Sequence, residues 1–225
     1  MRHIFILILI FPLLIISQKS KLPEDVKWVT QSEEYVELCK QIYTNAWEKI
    51  EQNIYNNDHQ LNMKNIVIVM DLDETVLDNS MYQINLNDKS ESFSYKSWNE
   101  FVNEEISGLV PGSKSFIKKY KAIDNAKIVY ISNRDSSTLN ATINNMKKLG
   151  VFYEDDIYML RENKNDTKII RRLEVINGEG RMIEHGKCKV IGYFGDAIGD
   201  FPSNNNYKFS INKFIFPNPM YGTWQ

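Results

Sequence analysis

The chain has 225 residues, with 27 Lys and Arg against 29 Asp and Glu and a net charge of -2. That length suits one domain burying about 70% of its unfolded-chain surface without disulfide help, and the charge balance offers no basic footprint for gripping a nucleic-acid polymer. Hydrophobic residues at 43% and charged residues at 25% are globular proportions, which excludes a disordered chain or a polytopic membrane protein.

Arg2 precedes an apolar run from Ile4 to Ile16, followed by Ser17, Gln18, Lys19 and Ser20. A charged start, a short apolar stretch and a polar exit predict a signal peptide over residues 1–20, cleaved near 17–20. The run is shorter than the roughly 20 residues of a spanning helix, and retention as an N-terminal anchor is the alternative. Cys39 and Cys188 are the only cysteines. No cysteine therefore follows the apolar run closely enough to take a lipid, and the pair reads as two buried free thiols rather than a disulfide.

From residue 31 to about 60, Tyr35, Cys39, Ile42, Tyr43, Ala46, Trp47 and Ile50 recur three or four apart, which predicts a helical N-terminal extension with one buried face. Ile66 to Met70 is apolar throughout, as in a strand buried on both faces of a parallel sheet. Apolar runs at 126–133, 157–160, 189–196 and 207–216 then alternate with helical stretches such as 136–149 and 167–177. Strand and helix in alternation predict an α/β fold, a doubly wound parallel sheet in a Rossmann-like three-layer sandwich, spanning residues 21–225. A polar and aromatic insert at about 79–111 follows the first strand and reads as a small, mostly helical cap over the strand ends.

The segment DLDET at 71–75 puts two carboxylates at the tip of a buried strand, where open α/β sheets bind ligands. A hard cation such as Mg2+ gives buried acids a reason to be there, since it prefers carboxylate oxygen and completes its shell with substrate phosphate. Ser132 ends a second strand as a hydroxyl able to hydrogen-bond a phosphoryl oxygen. Lys168 heads a helical stretch whose N-terminus favours an anion, although a lysine in such a place is more often a solvated charge. Asp196 and Asp200 lie in GDAIGD at 195–200, at another strand tip, each preceded by a glycine that permits tight backbone geometry.

The order DxDxT, Ser, Lys, GDxxxD resembles the haloacid dehalogenase (HAD) superfamily of phosphohydrolases. VMDLDETVLDNSMY, QSEEYVELCKQIY, SWNEFV, KIIRR and FPNPMYGTWQ are similar to the class C bacterial acid phosphatases, the lipoprotein-e family of 5'-nucleotidases, over about residues 28–225. The resemblance implies that Asp71 is the nucleophile and that Asp73 is the general acid and base, lending its main-chain carbonyl to Mg2+. It further implies that Asp196 is the side-chain metal ligand, that Asp200 acts through the metal's waters, and that Ser132 and Lys168 hold phosphoryl oxygens. A second acid suits a phosphatase, because a leaving alkoxide needs a proton and a leaving halide does not. Trp98 and Tyr221 match pocket-lining positions of the family.

The implied function is an exported, periplasmic or secreted acid phosphatase and 5'-nucleotidase acting on small phosphomonoesters such as nucleoside monophosphates, nicotinamide mononucleotide and aryl phosphates. The resemblance also implies a homodimer, as occurs in the family. The chain departs from the pattern in lacking the lipid-anchor cysteine. Two other readings stand beside this one: a surface ligand or haem carrier with vestigial phosphatase residues, and a phosphotransferase. His3, His59 and His185 show no paired ligand spacing for the carrier.

Overall fold

The computed structural model describes residues 21–56 and 65–224. The signal-peptide expectation, His59 and any helix past residue 56 lie outside the described residues. Two helices open the structure, α1 (Glu24–Gln31) and α2 (Glu33–Asn56). They part at Ser32, whose backbone is extended and whose Oγ accepts the Tyr35 N–H at 3.1 Å, a serine cap on the second helix. The face of α2 read from the sequence is the one that turns inward: Tyr35, Cys39, Tyr43, Ala46 and Ile50 are buried, with Ile42 and Trp47 partly so. Cys39 and Cys188 are both buried and unpaired.

The central sheet has five strands, β1 (Ile66–Met70), β4 (Lys127–Asp135), β5 (Ile157–Arg161), β6 (Lys189–Gly195) and β7 (Lys213–Ile215), in the order β5-β4-β1-β6-β7. Every pairing is parallel. Side chains alternate across the sheet with the two-residue period of strands. Ile66, Ile68 and Met70 join Ile128 and Tyr130 in a core completed by α2 and α5 (Ser113–Lys121), while Val67 and Val69 join Val129, Ile131, Ile157 and Met159 in a second core on the other face. Helices on both faces are what an all-parallel sheet needs. The chain moves outward from β1 through β4 to β5 and returns on the far side at β6, so the crevice at the reversal lies outside the ends of β1 and β6.

Between β1 and α5 a two-stranded neck, β2 (Leu77–Asp78) antiparallel to β3 (Gly108–Leu109), carries α3 (Ser80–Lys89) and α4 (Tyr95–Asn103). These helices enclose a small core of their own, Tyr82, Leu86, Phe101 and Val102, with Trp98 half-buried against it.

Two stretches depart from the sequence pattern. Of the apolar run 207–216, only Lys213–Ile215 is strand. Ser210 takes a left-handed φ of 63°, and the N–H groups of Ile211, Asn212 and Lys213 converge on the Lys208 carbonyl, so the chain turns before it can pair. Helix α7 (Lys168–Asn177) is turned over: it buries Arg171, Arg172 and Val175 and exposes Ile169, Ile170, Leu173 and Ile176. The arginines meet backbone carbonyls that aliphatic side chains could not satisfy. Arg171 Nη1 donates to the carbonyls of Ser132 and Met159, and Arg172 Nη1 to that of Gly199. Before α7, the stretch 136–149 is a 3-10 turn (Ser136–Thr138) leading into α6 (Leu139–Leu149).

At the opposite end of the sheet, Asp156 ties α5 to the start of β4. Its Oδ1 accepts the Ile128 N–H at 3.0 Å and the Lys121 ammonium at 2.8 Å. Burial pushes Asp156 up to about 6, with Lys121 opposing. A carboxyl raised above its unfolded value favours folding most below about pH 4 and loses that contribution as pH rises through about 6. Thermal melts of the native chain against Asp156→Asn should therefore show the native chain gaining up to about 3 kcal/mol on the variant between pH 7 and pH 4. A pH-independent difference would contradict the assignment.

Candidate active site

The site begins where β1 runs out. Asp71 is the first residue past the strand, and its N–H donates to the Phe194 carbonyl at 2.9 Å, locking the tip of β1 to β6. The chain then winds tightly: the Leu72 carbonyl accepts the N–H groups of Val76 and Leu77, both at 2.8 Å, and Glu74 takes a left-handed φ of 55°. β6 ends at Gly195, and Asp196 follows into a 3-10 turn, Ile198–Asp200. A Cβ on Gly195 would stand 2.3 Å from Cβ and Oδ2 of Asp200, so only glycine lets that acid fold back under the strand end. Thr167 caps α7 by accepting the Ile170 N–H, which sets Lys168 on the first turn of the helix, aimed into the crevice.

These segments bring Asp71, Asp196, Asp200 and Lys168 together. Asp71, Asp196 and Asp200 each offer one oxygen, and the three oxygens lie within 4.8 Å of one another. The Lys168 ammonium is 2.7 Å from Asp71 Oδ1 and 2.5 Å from Asp200 Oδ1. The second Asp200 oxygen takes the Ala197 N–H, and Asp196 Oδ2 takes the Asn218 amide at 2.8 Å. Burial lifts Asp71 well above the usual carboxylate range; Lys168 opposes this, while Asp200, Asp196 and Asp73 add to it. Burial and then Asp200 push Asp196 up to about 6 against Asn218 and Lys168. Burial works against the charge on Lys168, but Asp71 and Asp200 outweigh it and hold the ammonium more firmly protonated than usual. Three acids around one lysine leave negative charge uncompensated. An all-oxygen, anionic donor set of this kind fits a hard divalent cation.

Asp73 and Ser132 form a second group beside the first. Asp73 Oδ1 accepts Asn79 Nδ2 at 3.0 Å and Arg134 Nε at 2.9 Å, and Oδ2 accepts the Ser132 hydroxyl at 3.2 Å. Glu74, buried behind them, accepts the Asn79 N–H at 2.9 Å; burial and then Asp73 hold it well above the usual range. Trp98 meets Tyr82 edge-on at 5.1 Å between centroids, packs on Phe101, and has the Arg134 guanidinium 5.8 Å from its centroid. Tyr221 is half-buried against the main core, with its N–H directed at Asn218, whereas Trp98 packs on the small core of α3 and α4.

Four of these residues escaped the sequence reading. Arg134 is a polar group in the interior with no periodic signal, and Asn79 and Arg171 sit inside VMDLDETVLDNSMY and KIIRR, from which neither is singled out. Asn218 sits inside the tail motif FPNPMYGTWQ, from which only Tyr221 was drawn.

A family model described as HAD superfamily, subfamily IIIB (acid phosphatase), matches residues 14–224. The chain belongs to that family. The class C acid phosphatase from Bacillus anthracis with tungstate bound is similar in structure, with a TM-score of 0.74 and 28% identity over 89% of this chain and 85% of that one. A second structure of the class C acid phosphatase from Bacillus anthracis gives a TM-score of 0.72 at the same identity and coverage. Membership makes this HAD-fold chain a phosphoric monoester hydrolase. Its acid cluster depends on Gly195: Gly195→Ala should keep the far-UV circular dichroism of the native chain while lowering kcat/KM at least ~10-fold, about 1.4 kcal/mol of transition-state stabilisation. Unchanged kcat/KM would show that Asp200 can move without loss.

Proposed function

We propose that this acid phosphatase is exported, depends on Mg2+, and hydrolyses nucleoside monophosphates, nicotinamide mononucleotide and aryl phosphates through a phosphorylated Asp71. The observation that carries the reading is the convergence of Asp71, Asp196 and Asp200 within 4.8 Å, with Lys168 against two of them. Asp71 and Asp196 would hold the metal by side chains and Asp73 by its main-chain carbonyl, with Asp200 acting from behind. When bound, Mg2+ neutralises phosphoryl charge and fixes the phosphate in line with the nucleophile.

The chain's own residues do the rest. An oxygen of Asp71 attacks phosphorus, the ester P–O bond breaks, and Asp73 gives its proton to the departing oxygen. The Ser132 hydroxyl and the Lys168 ammonium take the phosphoryl oxygens; Lys168, already the counter-charge to Asp71, then balances the phosphorylated carboxylate. In the second step Asp73, now ionised, takes a proton from the water that attacks phospho-Asp71 and releases phosphate. Trp98 in α4 and Tyr221 in the tail are the residues we assign to a planar leaving group.

Export rests on the charged, apolar and polar succession of residues 1–20. Among the described residues no helix is long and apolar enough to cross a membrane.

Phosphate release from AMP, nicotinamide mononucleotide and p-nitrophenyl phosphate, measured with Mg2+ or EDTA, tests the chemistry. EDTA should abolish turnover, Mg2+ should restore it, and Asp71→Asn should lower kcat at least ~10^3-fold. Turnover undiminished by EDTA would refute the metal, and an unchanged kcat in Asp71→Asn would refute the nucleophile. For the substrate class, Trp98→Ala should cost AMP more than a small alkyl phosphate, and equal losses would remove Trp98 from the pocket.

A further inference from the structure

Arg134 is 1% exposed and lies two residues past Ser132 on β4. A guanidinium in the interior is expensive unless every donor finds an acceptor. Here the donors are distributed over four residues. Nε and Nη2 approach Asp73 Oδ1, each at 2.9 Å; Nη1 donates to Thr142 Oγ1 at 3.1 Å; Nη2 also donates to Asn79 Oδ1 at 3.2 Å and to Ser107 Oγ at 3.4 Å. Ser107 donates in turn to Asn79 Oδ1 at 2.7 Å, next to the β2–β3 neck, and the guanidinium faces the Trp98 ring of α4.

The two oxygens of Asp73 are therefore not equivalent. Oδ1 receives N–H donors from Asn79 and Arg134 and has no room for a proton of its own, whereas Oδ2 receives a hydroxyl, that of Ser132, which can rotate to accept. We propose that Arg134 is a positioning residue that pins Asp73 Oδ1 and leaves Oδ2 as the oxygen that delivers the proton, so that it sets how basic a leaving group the enzyme can expel. The proposal rests on the reading of Asp73 as the acid. In the step concerned, the bond from Asp71 to phosphorus forms, the ester P–O bond breaks, and the Oδ2 proton passes to the departing oxygen, which leaves as the neutral alcohol. Without the fork the carboxyl can rotate about its Cβ–Cγ bond, and the proton no longer lies on the line of departure.

The consequence is a loss graded by leaving group. Phenyl and p-nitrophenyl phosphate present similar rings to the cap, but the phenoxide is the more basic and needs the proton more. The experiment compares kcat/KM for the two substrates in the native enzyme, Asp73→Asn, Arg134→Met and Arg134→Lys, each with Mg2+ present and far-UV circular dichroism recorded. Asp73→Asn and Arg134→Met should each lose ~10-fold or more beyond the p-nitrophenyl loss when the substrate is phenyl phosphate. Arg134→Lys, with charge but no fork, should show the same grading more weakly, and it decides the matter if Arg134→Met fails to fold. Graded loss in Asp73→Asn with equal losses in the Arg134 variant would overturn the positioning role and leave the acid assignment standing. Equal losses in Asp73→Asn would remove Asp73 as the acid, and the proposal with it.

Discussion

Three carboxylates and one ammonium converge at the ends of two neighbouring strands, and much of the surrounding architecture serves to hold that imbalance in place. Ionised carboxylates withdrawn from water are costly unless paired, and the cost rises steeply when like charges are close. Asp71 is placed by the backbone bond to Phe194, Asp200 by the missing Cβ of Gly195 and by the Ala197 N–H, and Asp196 by the Asn218 amide. Lys168 is delivered by the first turn of α7. A carboxylate so crowded either takes a proton or shares a cation.

The inverted helix α7 follows from the same constraint. A helix that presents a lysine to the crevice and arginines to the strand ends cannot also bury its aliphatic stripe. Arg171 satisfies the carbonyls of Ser132 in β4 and Met159 in β5, and Arg172 satisfies that of Gly199 just ahead of Asp200. Buried hydrogen bonds to charged donors replace hydrophobic packing on that face, and the segments carrying Ser132 and Asp200 gain rigid support. The exposed Ile169, Ile170, Leu173 and Ile176 are what that arrangement leaves outside.

Much of the sheet was legible because burial on both faces writes unbroken apolar runs: Ile66–Met70 appears as a strand with the bounds read from the sequence. The acids were legible because they stand where those runs stop. Arg134 and Asn79 were not, since an interior polar residue is recognised by its partners and those are distant in the chain: Arg134 and Asp73 are separated by 61 positions. The face of α7 was illegible for a related reason. Periodicity finds a helix but cannot say whether its aliphatic or its cationic stripe turns inward when the interior contains free carbonyls. In the run 207–216 local hydrogen bonding to Lys208 prevailed over β propensity, a competition among turn geometries that apolar content does not record.

The most direct measurement for this account is rapid acid quench of the Mg2+-loaded enzyme with substrate labelled in the phosphoryl group, followed by peptide mapping of the denatured protein. The account predicts acid-stable, hydroxylamine-sensitive label on the peptide containing Asp71, forming and decaying at rates competent for turnover. Full turnover with no label on protein at any quench time, or label on a residue other than Asp71, would contradict it.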